Sequence, residues 1–208
     1  NIEANHEFVD AATGHFFFRA EVVAADGRLP AEQLRAALEA VLPAGARVRV
    51  TRDERRPIVV CVTREPHCLG ELLLLDSVGE LPGRIVGVVS NHDLLRTLTD
   101  RFGVPFTHVP HERVDRTTHE ELFAAAVDSH RPEYVVLARY MRILSPSFVD
   151  RFSGRMINIH HSFLPAFAGA SPYRQAFARG VKLIGATAHF VTAELDDGPI
   201  IAQDVTPV

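Results

Sequence analysis

The spacing of hydrophobic residues changes along the chain and divides it into two parts. In residues 1–53, Glu7–Val9 and Phe16–Val23 have the character of strands, and the turn-rich residues between them predict a hairpin. A segment with apolar residues at helical spacing follows, opening at Leu29–Pro30. The alternating segment Arg47–Thr51 predicts another strand. This order of elements indicates a small α+β module.

The second part, residues 54–208, alternates strands and helices. Strands are predicted at Ile58–Thr63, Arg84–Ser90, Phe106–Val109 and Tyr134–Ala138, and helices at Leu69–Leu75, Asp93–Arg101, Thr117–Ser129 and Pro146–Arg151. Such repeats predict an α/β fold with a doubly wound, mostly parallel sheet. We also expect Thr117 or Thr118 to cap its helix, and the charged segment Arg52–Arg56 to be a solvated linker between the two parts.

Composition and charge narrow the classes of function. The chain has 208 residues, 47% of them hydrophobic, and a formal net charge of -4, which argues against a nucleic-acid partner. No apolar run approaches the roughly 20 residues of a membrane span, and no signal peptide is recognisable. With only Cys61 and Cys68 we expect no disulfide and a cytoplasmic location.

Both ends of the chain look incomplete. The sequence begins at Asn1 without a methionine, and it stops at Val208 directly after a strand-like run. We therefore expect that the second part is truncated at its C-terminus and that the first part is only a portion of its module.

Three polar side chains have the properties needed to stabilise an oxyanion and to move a proton. Asn158 and His160 are two residues apart, so an extended backbone directs both to one face. Either can donate a hydrogen bond to an oxyanion, and His160 can also carry a proton. Asp196 could orient the imidazole and position water, or it could simply cap the Asp197-Gly198-Pro199 turn.

Ligands of open parallel sheets bind beyond the carboxyl ends of the strands. Three segments fall at or near such ends, namely Ser90–Asn91, Arg139–Leu144 and Asn158–His160. We therefore expect Asn158, His160 and Asp196 to converge in one cleft.

Several other residues have simpler explanations. His108 and His111 flank Pro110 and cannot lie on a regular helix, so we do not expect a zinc site there. His189 has a packing or supporting role in a strand, and the run Phe16–Phe18 is assigned to core packing. For His67 and His161 we leave open pocket lining and structural hydrogen bonding. The sequence has no Gly-x-Gly-x-x-Gly, hence no sign of a nicotinamide cofactor.

These motifs, taken in order, resemble the 10-formyltetrahydrofolate-using formyltransferase superfamily. The resemblance rests on Val89–His92, Ala138–Ser145, Asn158–Pro165, and Ile184–Thr192 followed by Leu195–Ile201. Within the superfamily the chain is most similar to the formyltetrahydrofolate deformylases, hydrolases that release formate and tetrahydrofolate.

Three features favour this branch over the transferases. The first part resembles the later portion of an ACT module, which deformylases carry. The loop Arg64–Leu69 contains Glu65 and Pro66, which suit a phosphate badly. His161 follows His160 where ribonucleotide transferases usually have proline.

The resemblance implies a role for each matched residue. The implied catalytic residues are Asn158, His160 and Asp196, the folate-binding residues are Arg142, Ile143, Leu144, Thr192, Glu194 and Leu195, and the pocket-lining candidates are His67, Cys68 and His161. It implies a folate substrate and no metal or other cofactor. It also implies that the released formate supplies purine biosynthesis and that the reaction balances the one-carbon folate pools. It also implies a homo-oligomer and an amino-acid effector at the ACT-like module.

Two alternatives stay open. One is formyl transfer from the folate to an amine acceptor such as a ribonucleotide, a sugar amine or an aminoacyl-tRNA. The other is a non-enzymatic amino-acid sensor with a degenerate catalytic domain, against which the intact Asn158, His160 and Asp196 argue.

Overall fold

We analysed a computed structural model, which describes residues 1–24, 30–51, 54–167, 169 and 172–207. The described chain forms two compact units, Asn1–Glu54 and Arg55–Val208. The expected helix start at Leu29 and the linker residues 52 and 53 lie outside the described residues.

The first unit contains a β-hairpin and one helix. Strands β1 (Ile2–Val9) and β2 (Phe16–Val22) pair antiparallel, and α1 spans Ala31–Val41. The strand predicted at Arg47–Thr51 is wrong: the segment is irregular, because alternation alone makes no strand without a neighbouring edge to pair with.

The phenylalanines of β2 are exposed, contrary to the expectation that they fill a core. Phe16, Phe17 and Phe18 are 61%, 55% and 53% exposed. Successive side chains of a strand point to opposite faces, and a two-stranded sheet offers little to cover either face. The first unit therefore presents an unusually apolar surface.

The second unit is an α/β domain. Its strands are β3 (Arg56–Val62), β4 (Gly83–Ser90), β5 (Phe106–His108), β6 (Tyr134–Leu137), β7 (Met156–His160), β8 (Leu183–Phe190) and β9 (Ile200–Pro207), and its helices are α2 (His67–Val78), α3 (Arg96–Arg101), α4 (Arg116–Ser129), α5 (Pro146–Arg151) and α6 (Pro172–Ala178). The strand order is β5-β4-β3-β6-β7-β8-β9. Strands β3 to β7 are parallel, whereas β8 and β9 run antiparallel to their neighbours, so the predicted mostly parallel sheet is confirmed. The sequence analysis did not predict α6.

The core lies on both faces of the central strand β3. Val59 and the buried thiol residue Cys61 belong to a cluster on one face, with Phe123 among its members, and Val60 belongs to a second cluster with Leu69. This alternation is the two-residue period of a strand covered by helices on both sides. None of the described helices has the length and apolarity to cross a membrane.

Two local expectations are corrected by the structure. Helix α4 is capped by Asp115, whose carboxylate accepts hydrogen bonds from the Thr118 N–H at 3.0 Å and its hydroxyl at 2.7 Å, rather than by Thr117 or Thr118. The carboxylate offers two acceptor oxygens where a threonine offers one.

Arg55 and Arg56 do not form a solvated linker. Arg55 donates to the backbone carbonyl of Gly83 and pairs with Asp76, while Arg56 pairs with Glu133. Both arginines are thus part of the second unit.

Close backbone approach at Gly185 gives a test of the β8–β9 pairing. An added Cβ there would lie 2.2 Å from the Asp204 carbonyl oxygen. We expect Gly185→Ala to lower the free energy of unfolding by about 1–3 kcal/mol, measured by urea denaturation. The control is Gly70→Ala in α2, where no atom lies within 4 Å and alanine should add about 0.5–1 kcal/mol. Equal stability of the two variants would contradict this pairing.

Candidate active site

His160 ends β7 and lies buried, 5% exposed. Its Nε2 is 3.1 Å from the Phe167 carbonyl oxygen, and its Nδ1 is 3.5 Å from Asp196 Oδ1. Carbonyl and carboxylate oxygens only accept hydrogen bonds, and both ring nitrogens donate only in the imidazolium form. Both ring nitrogens of His160 therefore face oxygen acceptors, one of them the Asp196 carboxylate.

Asp196 is held in place from several sides. Its backbone has φ 56°, in the left-handed region that few non-glycine residues occupy. Its Oδ2 accepts a hydrogen bond from the Gly169 N–H at 3.0 Å, which leaves Oδ1 facing His160. Its side chain is 8% exposed. The strained backbone and the Gly169 contact together fix the carboxylate against the imidazole.

The loop carrying Asp196 folds closely back on β8. A Cβ added at Gly198 would lie 1.7 Å from the Phe190 carbonyl oxygen, so only glycine fits. The turn lies at Leu195 and Asp196 rather than at the expected Asp197-Gly198-Pro199, and Asp196 is itself a turn residue facing His160.

Asn158 is oriented by His189 across the β7–β8 pairing. The two residues are register partners, with Asn158 Nδ2 3.2 Å from His189 Nε2. His189 Nδ1 lies 3.0 Å from the Phe190 carbonyl oxygen and so carries the proton, which leaves Nε2 to accept from the amide. One Asn158 N–H then remains for a substrate oxygen. This contact is the kind of supporting role that the sequence analysis considered for His189.

His161 lies beside His160 and contacts Arg139. The Arg139 Nη1 donates to His161 Nδ1 at 2.8 Å, and the rings of His160 and His161 are 5.5 Å apart. Burial, together with the positive charge of Arg139, lowers the pKa of His161, which favours a neutral ring. Arg139 also has a left-handed backbone, φ 59°. The sequence analysis placed the segment Arg139–Leu144 at or near a strand end but did not predict the contact between Arg139 and His161.

The other two pocket-lining candidates lie at the start of α2. His67 is largely exposed, with its Nδ1 4.0 Å from a Glu65 carboxylate oxygen. Burial raises the pKa of the Cys68 thiol, and the positive charge of Arg139 opposes that rise. Their lining of a substrate pocket stays a prediction.

The folate-binding segments assigned by resemblance have fixed backbones and exposed apolar side chains. Ile143 and Leu195 are 69% and 60% exposed. The Thr192 hydroxyl donates to the Glu194 carbonyl oxygen at 3.1 Å. The Arg116 Nη2 donates to the Ile143 carbonyl oxygen at 2.9 Å. Such segments can offer preset backbone groups to a ligand.

Helix α4 anchors the 142–144 segment through a network that the sequence analysis missed. Arg116 Nε donates to Glu120 Oε1 at 3.0 Å. The same carboxylate accepts from the Ser145 N–H at 3.2 Å and from the Ser145 hydroxyl. The Glu120 side chain is only 13% exposed and its two bonds to Ser145 are partly buried, whereas its bond to Arg116 is exposed.

Comparison with known proteins places this site in a family. Residues 56–208 match the formyl transferase family model. Formyltetrahydrofolate deformylase of Escherichia coli (strain K12) is 52% identical over the whole chain, which covers 73% of that protein. The Haemophilus influenzae deformylase is 50% identical, with 74% of it covered.

Comparison with solved structures points to the same family. A deformylase from Pseudomonas syringae pv. tomato superposes with a TM-score of 0.88 at 40% identity, covering the whole chain and 70% of that structure. A glycinamide ribonucleotide transformylase from Symbiobacterium toebii gives 0.71 at 33% identity, covering 80% of the chain and 79% of that structure. The fold and site thus define a member of the formyl transferase family. Within it, the chain belongs to the formyltetrahydrofolate deformylases.

The α4 network predicts an effect on substrate affinity. Glu120→Gln weakens the hold on Ser145 and Arg116, so the 142–144 segment should lose its fixed shape. If that segment binds the folate, KM should rise roughly tenfold, the equivalent of about 1.4 kcal/mol, with kcat changed less. The matched control is the neighbouring, exposed Glu121→Gln. A folded Glu120→Gln protein with parental KM would refute the anchoring role.

Proposed function

We propose that this protein hydrolyses 10-formyltetrahydrofolate to tetrahydrofolate and formate. The observation that carries the proposal is the grouping of Asn158, His160 and Asp196 in a formyl transferase domain: Asp196 Oδ1 lies 3.5 Å from His160 Nδ1 and 3.9 Å from His189 Nε2, which in turn lies 3.2 Å from Asn158 Nδ2. The relatives named deformylase, at 50–52% identity over the whole chain, support it further. Residues 54–208 form the catalytic domain in this proposal.

The reaction needs a nucleophile and a stabilised oxyanion. Water attacks the formyl carbon on N10, and one water proton is taken up through Asp196. The remaining Asn158 N–H and the positive charge of His160 stabilise the tetrahedral oxyanion. The carbon–N10 bond then breaks as Asp196 passes its proton to N10, and the product leaves as formate after the second water proton is lost to solvent. Because His160 and Asp196 are buried, their charges act in a medium that screens them weakly.

The folate lies against backbone groups in this proposal. Its contacts are assigned to Arg142, Ile143, Leu144, Thr192, Glu194 and Leu195, with His67, Cys68 and His161 lining the pocket. The fixed backbones at Ile143 and Glu194 support the first set. The contact of His161 with Arg139 beside His160 supports the second.

Transfer to an amine acceptor is the competing function, since the fold is shared with ribonucleotide transformylases. The assay is formate and tetrahydrofolate release from 10-formyltetrahydrofolate, with and without amines, glycinamide ribonucleotide included. We expect release at the same rate in both cases. Turnover only when an amine is present would overturn the hydrolase.

The roles of Asp196 and Asn158 are separable by substitution. Asn tolerates the left-handed backbone at position 196, so Asp196→Asn should preserve folding and folate binding. It removes the carboxylate, and we expect turnover to fall by roughly 10²-fold or more. Asn158→Ala should weaken the transition state by about 2.7–4 kcal/mol. If folded Asp196→Asn hydrolyses the substrate at the parental rate, Asp196 serves only the turn.

We assign residues 1–53 to a portion of an ACT-like module that takes part in homo-oligomer formation, and we assign an amino-acid effector to the complete module, of which this portion would hold only part of the site. The exposed phenylalanines support an assembly surface, with Phe16 and Phe18 stacked at 6.4 Å on one face of β2. A cytoplasmic location and the absence of a nucleic-acid partner or cofactor stay predictions from the sequence.

The assembly surface makes a prediction about mass in solution. We expect an oligomer at micromolar concentration by analytical ultracentrifugation, and dissociation in the double variant Phe16→Ser with Phe18→Ser, because two apolar side chains leave the interface. The exposed Arg19→Ser serves as the control. A parent protein that sediments as a monomer would rule the surface out.

A further inference from the structure

Three potential metal ligands meet beyond β4 and β5, away from the proposed catalytic residues. The two strands pair in parallel with Ser90 opposite His108, so the segments after them are neighbours. His92, His111 and Glu112 each offer a ligand atom, and these atoms lie within 4.8 Å of one another. Strand β4 is three positions from β7 in the sheet, a separation of roughly 14 Å. The cluster is therefore distinct from the candidate active site.

Two buried polar atoms next to the cluster lack hydrogen-bond partners. They are Asn91 Oδ1 and His119 Nδ1, in residues that are 2% and 0% exposed. Asn91 Nδ2 lies 3.4 Å from His111 Nδ1, and the His119 ring is 6.1 Å from the His111 ring. Buried polar atoms are normally paired, so these two residues have hydrogen-bonding capacity beside the cluster that a polar ligand could satisfy.

Arg64 competes for the same position. Its Nε donates to His92 Nε2 at 3.2 Å and so occupies a lone pair that a metal ion could use. The Arg64 side chain is exposed, so it can turn into solvent when a cation arrives. Its removal should therefore favour metal binding.

We propose that His92, His111 and Glu112 bind a divalent first-row transition cation, with Zn²⁺ the best fit. Two imidazoles and one carboxylate form a three-ligand set that leaves a fourth tetrahedral position for water. Asn91 and His119 lie where they can hold that water or the His111 ring. The sequence analysis dismissed His111 as a partner of His108, and the fold pairs it with His92 instead.

The test is calorimetric titration of metal-free protein with Zn²⁺, and with Co²⁺ followed by visible absorption. We expect one saturable site with the absorption of tetrahedral cobalt. His111→Ala and His92→Gln should each weaken it at least tenfold, and Arg64→Ala should tighten it. The control is His108→Ala, which removes a nearby histidine outside the three-ligand set.

Circular dichroism shows whether each variant is folded before its metal affinity is compared with that of the parent protein. Parental affinity in folded His111→Ala or His92→Gln would overturn the site, as would weaker binding in Arg64→Ala. Hydrolysis as proposed above needs no metal, so formate release by the metal-free protein is scored separately and does not decide this question.

Discussion

The antiparallel pairing of β8 with β7 is the constraint on which the candidate site depends. It places His189 opposite Asn158 and so fixes the amide. Because β8 is antiparallel, Thr187 lies opposite His160, whereas Phe190 at the end of β8 lies opposite Ile157 near the start of β7. The loop after β8 therefore has to fold back to bring Asp196 within 3.5 Å of His160 Nδ1. The group is thus assembled from two neighbouring strands and one returning loop.

The energetic difficulty of the site is its buried charge. Asp196 and His160 are each less than a tenth exposed, and burying either ion alone would cost several kcal/mol. Their mutual attraction and the hydrogen bonds from Gly169 and to Phe167 offset that cost. The same exclusion of water strengthens their effect on a developing oxyanion. The left-handed backbone at Asp196 adds strain that the surrounding turn must hold.

Local signals were enough to predict much of the fold. Continuous apolar runs and helical periods predicted β3 to β6 and the helices between them, and the two-residue spacing of Asn158 and His160 predicted that both side chains share one face of a strand. The strand expected at Arg47–Thr51 failed because strand formation depends on a partner, which alternation does not reveal.

The remaining features depend on contacts between distant parts of the sequence. His189 meets Asn158 only through sheet register, Glu120 meets Ser145 only through the packing of α4, and His92 meets His111 only because β4 adjoins β5. A single sequence contains no local signal for any of these pairs. The sequence motifs identify the side chains that can react, and the order of the strands in the sheet decides which of these side chains lie together.

Water as the formyl acceptor is the central claim of this account, and isotope labelling tests it most directly. Turnover of 10-formyltetrahydrofolate in ¹⁸O-enriched water, without any amine, should give formate in which the newly formed carbon–oxygen bond carries the label, as detected by mass spectrometry. Unlabelled formate, or a formylated amine in place of formate, would contradict the claim.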